Sequence, residues 1–181
     1  MQPANSRIFI TGGTGYLGRH LIRRLYADNE ITVYSRDEAK QYYLKKEFPL
    51  VRCIVGDIRN YDLLQRAGAG HDFGIFAASF KQIDACHDNA GEAVRVIIDG
   101  ALNSRRLAEE AGYTAACFIS SDKSRAATTI YGACKYVAGE AFIANAPAFA
   151  PRLSTAVYGN VLNSTGSVIP LIWSSIKANR P

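Results

Sequence analysis

A doubly wound α/β fold, one parallel sheet covered by helices on both faces, is the architecture this 181-residue chain predicts. Three observations predict it. Short β-rich runs alternate with helical segments from end to end. The strand candidates are almost continuously apolar, as buried parallel strands are. A glycine-rich turn joins the first strand to the first helix. The length fits one domain. With 48% apolar and 20% charged residues, the composition suits a chain that buries a core and excludes a disordered one.

The elements follow in order. Arg7–Thr11 (RIFIT) is the first strand, and Tyr16–Asp28 a helix with Leu17, Leu21, Ile22 and Leu25 on one face. Ile31–Ser35 (ITVYS) is the second strand, and Asp37 is placed to N-cap a helix running to about Glu47. Val51–Val55 is the third strand, Tyr61–Ala69 a short helix and Phe73–Ala78 the fourth strand. One long helix is predicted over Asn89–Ala111, closed by Gly112 at the C′ position. Ala115–Ser120 is the fifth strand, Thr129–Asn145 a helix after a loop, and Arg152–Tyr158 the sixth strand. Cys53 and Cys117 lie in apolar runs and are expected in the core.

The net charge is +5, but the basic residues are scattered apart from Arg23-Arg24, Lys45-Lys46 and Arg105-Arg106. No basic stripe with interleaved aromatics appears, which argues against nucleic acid; an anionic small ligand fits the sign. Cys53, Cys86, Cys117 and Cys134 form no CxxC pair, so neither a metal site nor a redox motif is expected. Met1–Arg7 is polar and leads straight into a strand, unlike a signal peptide. The longest apolar runs, such as Phe73–Phe80, fall short of the ~18 residues of a spanning helix. A cytoplasmic chain with no membrane partner is expected.

The turn reads Thr11-Gly12-Gly13-Thr14-Gly15-Tyr16-Leu17-Gly18, with Gly12, Gly15 and Gly18 spaced G-x-x-G-x-x-G. The first glycine permits a tight turn, the second lets backbone approach a pyrophosphate, and the third lets helix and strand pack closely. The helix N-terminus then offers free N–H groups and the positive end of its dipole to phosphates. Thr14, Tyr16 and Leu17 join the three glycines as candidates to hold a dinucleotide. The second strand ends Ser35-Arg36, where an NAD-preferring site carries an acidic residue. A guanidinium there can clamp a 2′-phosphate, which favours NADP; a solvated surface arginine is the alternative. Asp57, after the third strand, stands where an adenine amino group can be held, or else caps its loop.

Past the fifth strand come Ser120-Ser121-Asp122-Lys123 and then Tyr131-Gly132-Ala133-Cys134-Lys135. Tyr131 and Lys135, four apart, share a helix face, so the ammonium can lower the phenol pKa and ready it to take a proton from a sugar hydroxyl. Asp122 beside Lys123 supplies an acid and a base at one spot, unless the two are an exposed loop pair.

Taken together, TGGTGYLG, VYSRDEAKQ, GDIR, AASFKQIDAC, SSDKS, YGACK and YGNVLNSTGSVIP resemble, in that order, the extended short-chain dehydrogenase/reductases. More closely, they resemble the nucleotide-sugar 4,6-dehydratases of the UDP-N-acetylglucosamine type, which serve surface polysaccharide biosynthesis. The resemblance runs from the glycine loop to about Ile172. It implies that Ser121 holds the sugar 4-hydroxyl while Tyr131 and Lys135 support oxidation at C4 by NADP. It further implies that Lys123 removes the C5 proton and Asp122 protonates the leaving C6 hydroxyl. The same blocks add Asp37, Lys40, Ile58, Ala77 and Lys81 to the cofactor site, and point Lys81, Lys123, Asn160 and Val161 at the substrate.

Four positions depart from that family's pattern: Phe76 stands for a His, Ile97 for an Asn, Val157 for an Arg and Asn163 for a Gly. The family continues beyond Pro181. Residues 1–181 are therefore expected to form an NADP-binding Rossmann domain, with 159–181 the start of a largely missing substrate domain. Two alternatives stay open: a non-catalytic NADP-binding module, and a nucleotide-sugar epimerase or reductase using Tyr131 and Lys135 without the Asp122–Lys123 pair. A homo-oligomer is expected by analogy, through the helices near 89–111 and 129–145.

Overall fold

The computed structural model describes residues 3–146, 151–162, 164 and 167–178. Its strands are β1 (Ser6–Thr11), β2 (Asn29–Ser35), β3 (Arg52–Val55), β4 (Phe73–Phe76), β5 (Ala115–Ser121) and β6 (Arg152–Tyr158). They form one sheet in the order 3-2-1-4-5-6, and every neighbouring pair is parallel. The order reverses between β1 and β4. In such sheets the crevice beyond the carboxyl ends of those two strands is where ligands bind.

Four helices lie between the strands on the first half of the chain: α1 (Tyr16–Leu25), α2 (Glu38–Glu47), α3 (Tyr61–Gly68) and α4 (Ile83–Asp88). α5 (Ala90–Val94), α6 (Gly100–Glu110), α7 (Ile130–Ile143) and α8 (Val168–Lys177) follow. β1 is buried on both faces, and its side chains divide between two cores. Ile8 and Ile10 pack with Ile22 and Leu25 of α1, Ile31 and Val33 of β2, and Leu44 of α2. Phe9 packs on the opposite side with Leu64 of α3, Leu107 of α6, and Ala138 and Phe142 of α7. Each such aliphatic or aromatic side chain taken out of water contributes roughly 1.5–3 kcal/mol, which is why the alternation of one strand fixes helices on both sides.

The caps behave as the residue types dictate. Asp37 accepts from the Lys40 N–H at 2.9 Å, Asn60 from the Leu63 N–H at 3.1 Å and Thr129 from the Gly132 N–H at 3.1 Å. Gly112 adopts φ +67° directly after the helix ending at Glu110 and Ala111.

Several elements differ from their sequence-based expectation. β4 stops at Phe76 rather than Ala78, because Ala77 and Ala78 turn to hydrogen-bond the backbone and hydroxyl oxygens of Thr11, at 3.1 and 3.3 Å. The single long helix is α5 and α6 joined through one widened π turn, Arg95–Asp99, which puts both Val96 and Ile97 in the core. α4 and α8 are additional. α4 is too short to show a period, and α8 is apolar nearly all round, with Pro170 tolerated in its first turn. Cys53 and Cys117 are only half-buried; the buried cysteines are Cys86 and Cys134, which face the helices that cover the sheet. Among the described residues, no helix is long and apolar enough to cross a membrane, and no acidic, His or Cys cluster is placed to hold a metal.

Candidate active site

A cleft of about 1130 Å³ opens at the carboxyl ends of β1 and β4. Its floor is the glycine loop. Gly12 has φ +69°, and a Cβ there would stand 2.7 Å from the Ala78 nitrogen, so the turn is too tight for any other residue. At Gly18 a Cβ would meet Gly13 Cα at 2.4 Å, the close helix–strand approach this spacing serves. Gly15, the N-cap of α1, supplies no capping side chain, and no acidic residue occupies the first turn. The first N–H groups of α1 therefore meet the cleft with a positive dipole end behind them. A dinucleotide's phosphates fit this cradle.

Thr14, Tyr16 and Leu17 also line the cleft, as do Ser35, Arg36, Asp37, Lys40, Ile58, Ala77 and Lys81. Ser35 is held by Gln41, whose side-chain amide donates to the Ser35 hydroxyl at 2.9 Å and to its carbonyl at 3.0 Å. Asp37 and Lys40 form an ion pair at 2.7 Å, which with the cap holds the Asp37 carboxyl below its usual range. Asp57 is a cofactor candidate at the border of the cleft, between the lining residues Gly56 and Ile58. Its carboxylate accepts from Arg59 at 2.6 and 2.9 Å and faces a separate shallow hollow with Asn60, Arg95 and Asp99. Arg36 stands 4.0 Å from it. The Arg59 partnership, first of all, holds Asp57 well below the ordinary carboxylate range.

On the other wall, β5 ends at Ser121 and a 3₁₀ turn, Asp122–Ser124, follows. Ser121 caps that turn: its hydroxyl accepts from the Lys123 N–H at 3.3 Å and donates to Asp122 Oδ1 at 3.1 Å. The Lys123 ammonium lies 2.9 Å from Asp122 Oδ1 and donates to Asn160 Oδ1 at 2.9 Å. Hydrogen bonding from Lys123 lowers the Asp122 carboxyl below its ordinary value. Gly132, at the start of α7, admits the Lys123 carbonyl; a Cβ there would stand 2.5 Å from it. That contact brings the Ser-Asp-Lys turn against the helix that carries Tyr131 and Lys135. Asp122 itself does not line the cleft and reaches it through Lys123, whereas Ser121, Lys123, Tyr131, Lys135, Asn160 and Val161 all do.

Tyr131 and Lys135 share one helix face in the cleft. Burial raises Tyr131 to about 12, opposed by a hydrogen bond with Ser121. Lys135 is buried, and desolvation brings it down to about 7. Its ammonium donates to the Ile119 carbonyl at 2.7 Å and lies 4.7 Å from the centre of the Phe118 ring. Burial thus sets the Tyr131 phenol above its ordinary value, opposite to the direction that Lys135 alone would give.

The family model described as polysaccharide biosynthesis protein matches residues 8–181. The chain belongs to this family. It is 36% identical over 171 residues to the UDP-N-acetylglucosamine 4,6-dehydratase (inverting) of Campylobacter jejuni, covering 90% of this chain and 51% of that one. It is 34% identical to the UDP-glucose 4-epimerase of Rickettsia massiliae, covering 96% of this chain and 54% of that one. Among solved structures, Pen from Bacillus thuringiensis superposes with a TM-score of 0.90 at 30% identity, over 99% of this chain and 58% of Pen. The chain spans about half the length of the curated relatives it matches.

Two of the four departures from the expected pattern are absorbed by the core. Phe76 is buried with its ring 5.8 Å from that of Phe142, and Ile97 is buried in the π turn. Val157 lies exposed on the edge strand, and Asn163 falls outside the described residues. Tyr158 and Ser164 are among the cleft residues that escaped the sequence reading. Tyr158 ends β6 and is near enough to Tyr131 to raise its phenol; its place at the carboxyl end of a strand was the available signal. Ser164 accepts from Lys81 at 3.5 Å, and nothing local marks it.

Proposed function

We propose that this chain forms the cofactor-binding and catalytic part of an NADP-dependent nucleotide-sugar 4,6-dehydratase that acts on UDP-N-acetylglucosamine. The observation that carries the reading is the Lys123 ammonium, 2.9 Å from both Asp122 and Asn160 in the wall that holds Ser121 and Tyr131. Inversion at C4 alone expels no C6 hydroxyl and so asks for no acid there, whereas a 4,6-elimination does. NADP is favoured over NAD by Arg36, whose half-exposed guanidinium stands just past the end of β2, where the neighbouring Asp37 carboxylate is held by Lys40.

A bound dinucleotide supplies a reversible hydride acceptor; the chain supplies the protons' paths. Ser121 orients the sugar 4-hydroxyl, and Tyr131 takes its proton as C4 is oxidised, which requires the phenol to be ionised against the effect of burial by the charges of Lys135 and of the bound oxidised cofactor. The 4-keto group acidifies the C5 hydrogen. Asp122 and Lys123 begin as carboxylate and ammonium. One proton shifted across their 2.9 Å contact leaves a neutral amine and a carboxylic acid. Lys123 then removes the C5 proton while Asp122 protonates the departing C6 hydroxyl, which leaves as water. The pair ends the elimination as it began, and the 5,6-ene that remains would take the hydride back at C6 and a proton at C5, equal in number to the one Tyr131 took from the 4-hydroxyl, to give the 4-keto-6-deoxy sugar. Exposed apolar side chains on α5–α6 (Val94, Leu102) and α7 (Tyr136, Val137) support packing against a second copy of the chain.

The test is to incubate the protein with NADP⁺ and UDP-N-acetylglucosamine and follow the 4-keto-6-deoxy sugar and released water oxygen by mass spectrometry. Asp122→Asn should cut water elimination by about 100-fold or more, the usual weight of a general acid. Undiminished elimination by Asp122→Asn sinks the dehydratase reading.

A further inference from the structure

The described part of the stretch that follows β6 has one buried residue, Ser164, and is otherwise held by side chains from the body of the domain. Asn160 is exposed and Leu162 is 71% exposed. Within the stretch, the Ser164 N–H reaches the Val161 carbonyl at 3.4 Å and the Ser167 N–H the Ser164 carbonyl at 2.9 Å. Three different loops reach across the cleft to it. Lys123, after β5, donates to Asn160; Lys81, after β4, donates to Ser164; and Tyr16, after β1, donates its hydroxyl to the Leu162 carbonyl at 3.0 Å. Lys81 and Lys123 already belong to the proposed ligand site. Tyr16 is different. The phosphate cradle asks only for its backbone N–H, as the first residue of α1, whereas its phenol reaches a residue 146 positions away.

We infer that Tyr16 is a positioning residue. Its phenol ties the loop that would cradle the cofactor phosphates to the stretch that faces the nucleotide sugar, and so couples occupancy of one to the placement of the other. This rests on the dinucleotide and nucleotide-sugar reading above. Geometrically, the same residue carries a donor N–H at the N-terminus of α1 and a hydroxyl on the far wall. Its half-buried ring, 4.6 Å from that of His20, keeps the phenol directed across the cleft. A ligand seated on the first turn of α1 therefore also bears on the Leu162 carbonyl through the same residue.

Tyr16→Phe removes one oxygen and leaves the ring, its contact with His20 and the backbone N–H. Amide-resolved hydrogen exchange on the ligand-free protein reads the Ser164 and Ser167 amides directly. They should exchange about fivefold faster in Tyr16→Phe, what one neutral hydrogen bond supplies, with β1 and β2 amides unchanged. A purely structural effect would instead accelerate the core amides and lower the melting temperature. Equal exchange at Ser164 and Ser167 in both proteins overturns the inference. In the second arm, saturating NADP⁺ should slow exchange in the Gly12–Gly18 loop of both proteins, and slow Ser164 and Ser167 in the wild type alone. Equal slowing of Ser164 and Ser167 in Tyr16→Phe also overturns it. If neither NADP⁺ nor NAD⁺ protects the glycine loop of either protein, the dinucleotide reading fails, and the ligand-free comparison still decides whether Tyr16 positions the stretch.

Discussion

Lys135 concentrates the chemistry of this site in one buried amine. Its pKa is about 7 in the folded chain against 10.5 for an ordinary lysine, because burial removes the water that would solvate the charge. Between those values the unfolded chain binds a proton that the folded chain does not, so stability rises with pH across that window. Below about pH 7 the penalty is complete, on the order of a few kcal/mol; above 10.5 it is gone. Lys135→Met removes the titration but leaves the Ile119 carbonyl without its donor. The melting temperature of Lys135→Met relative to wild type should therefore be most favourable at pH 7 and should drop steadily toward pH 10. A difference flat in pH would show that Lys135 is not desolvated. His71 behaves similarly on the acid side. Burial lowers it from 6.5, with its two ring nitrogens on the Gly68 carbonyl and the Thr32 hydroxyl, both at 2.9 Å. Its stabilising contribution is complete above pH 6.5 and is lost as the pH falls below that value. His71→Gln should flatten the acid limb of a thermal-melt profile between pH 6.5 and 4.5; an unchanged limb counts against it.

Between elements, the contact that matters most is the one between the 3₁₀ turn Asp122–Ser124 and the first turn of α7. Helix propensity alone says that Gly132→Ala stabilises by about 1 kcal/mol. Packing says the opposite, since the new methyl would stand 2.5 Å from the Lys123 carbonyl, a backbone atom that cannot rotate away. Overpacking of that kind costs about 1–3 kcal/mol, so packing wins. Gly132→Ala should lower the melting temperature by several degrees and shift Lys123 away from Asn160; a raised melting temperature would rule this contact out as a constraint. The sequence marked the Tyr131–Lys135 helix and the Ser121–Lys123 turn as separate candidates. It had no means of saying that Gly132 joins them, because a glycine between Tyr131 and Ala133 in a helix looks like an interior residue of low propensity. The π turn was equally hidden: Asn89–Ala111 reads as one helical period, and a single extra residue in a turn leaves that period almost intact.

For the molecule as a whole, the sheet order puts the glycine loop and the residues after β4 and β5 around one crevice. If that crevice takes NADP, saturating cofactor should stabilise the fold by mass action. At 100 times the dissociation constant this amounts to about 2.7 kcal/mol, or roughly 5–10 °C for a chain of this size. NAD⁺ at the same concentration should give a smaller shift, and Arg36→Ala should erase the difference. Equal shifts by the two dinucleotides in the wild type would remove the case for NADP. The sequence by itself determined the number and order of the six strands, the tight turn at Gly12, the close approach at Gly18 and the helix face shared by Tyr131 and Lys135. These are properties of periodicity and of short spacings, which local backbone geometry enforces. Only the tertiary structure decided that Asp57 sits between Arg59 and Arg36, that burial sets the phenol of Tyr131 high and the amine of Lys135 low, and that Tyr16 reaches Leu162. Those depend on which strands become neighbours and on how much water the packed faces exclude, and neither is written in any local stretch of the chain.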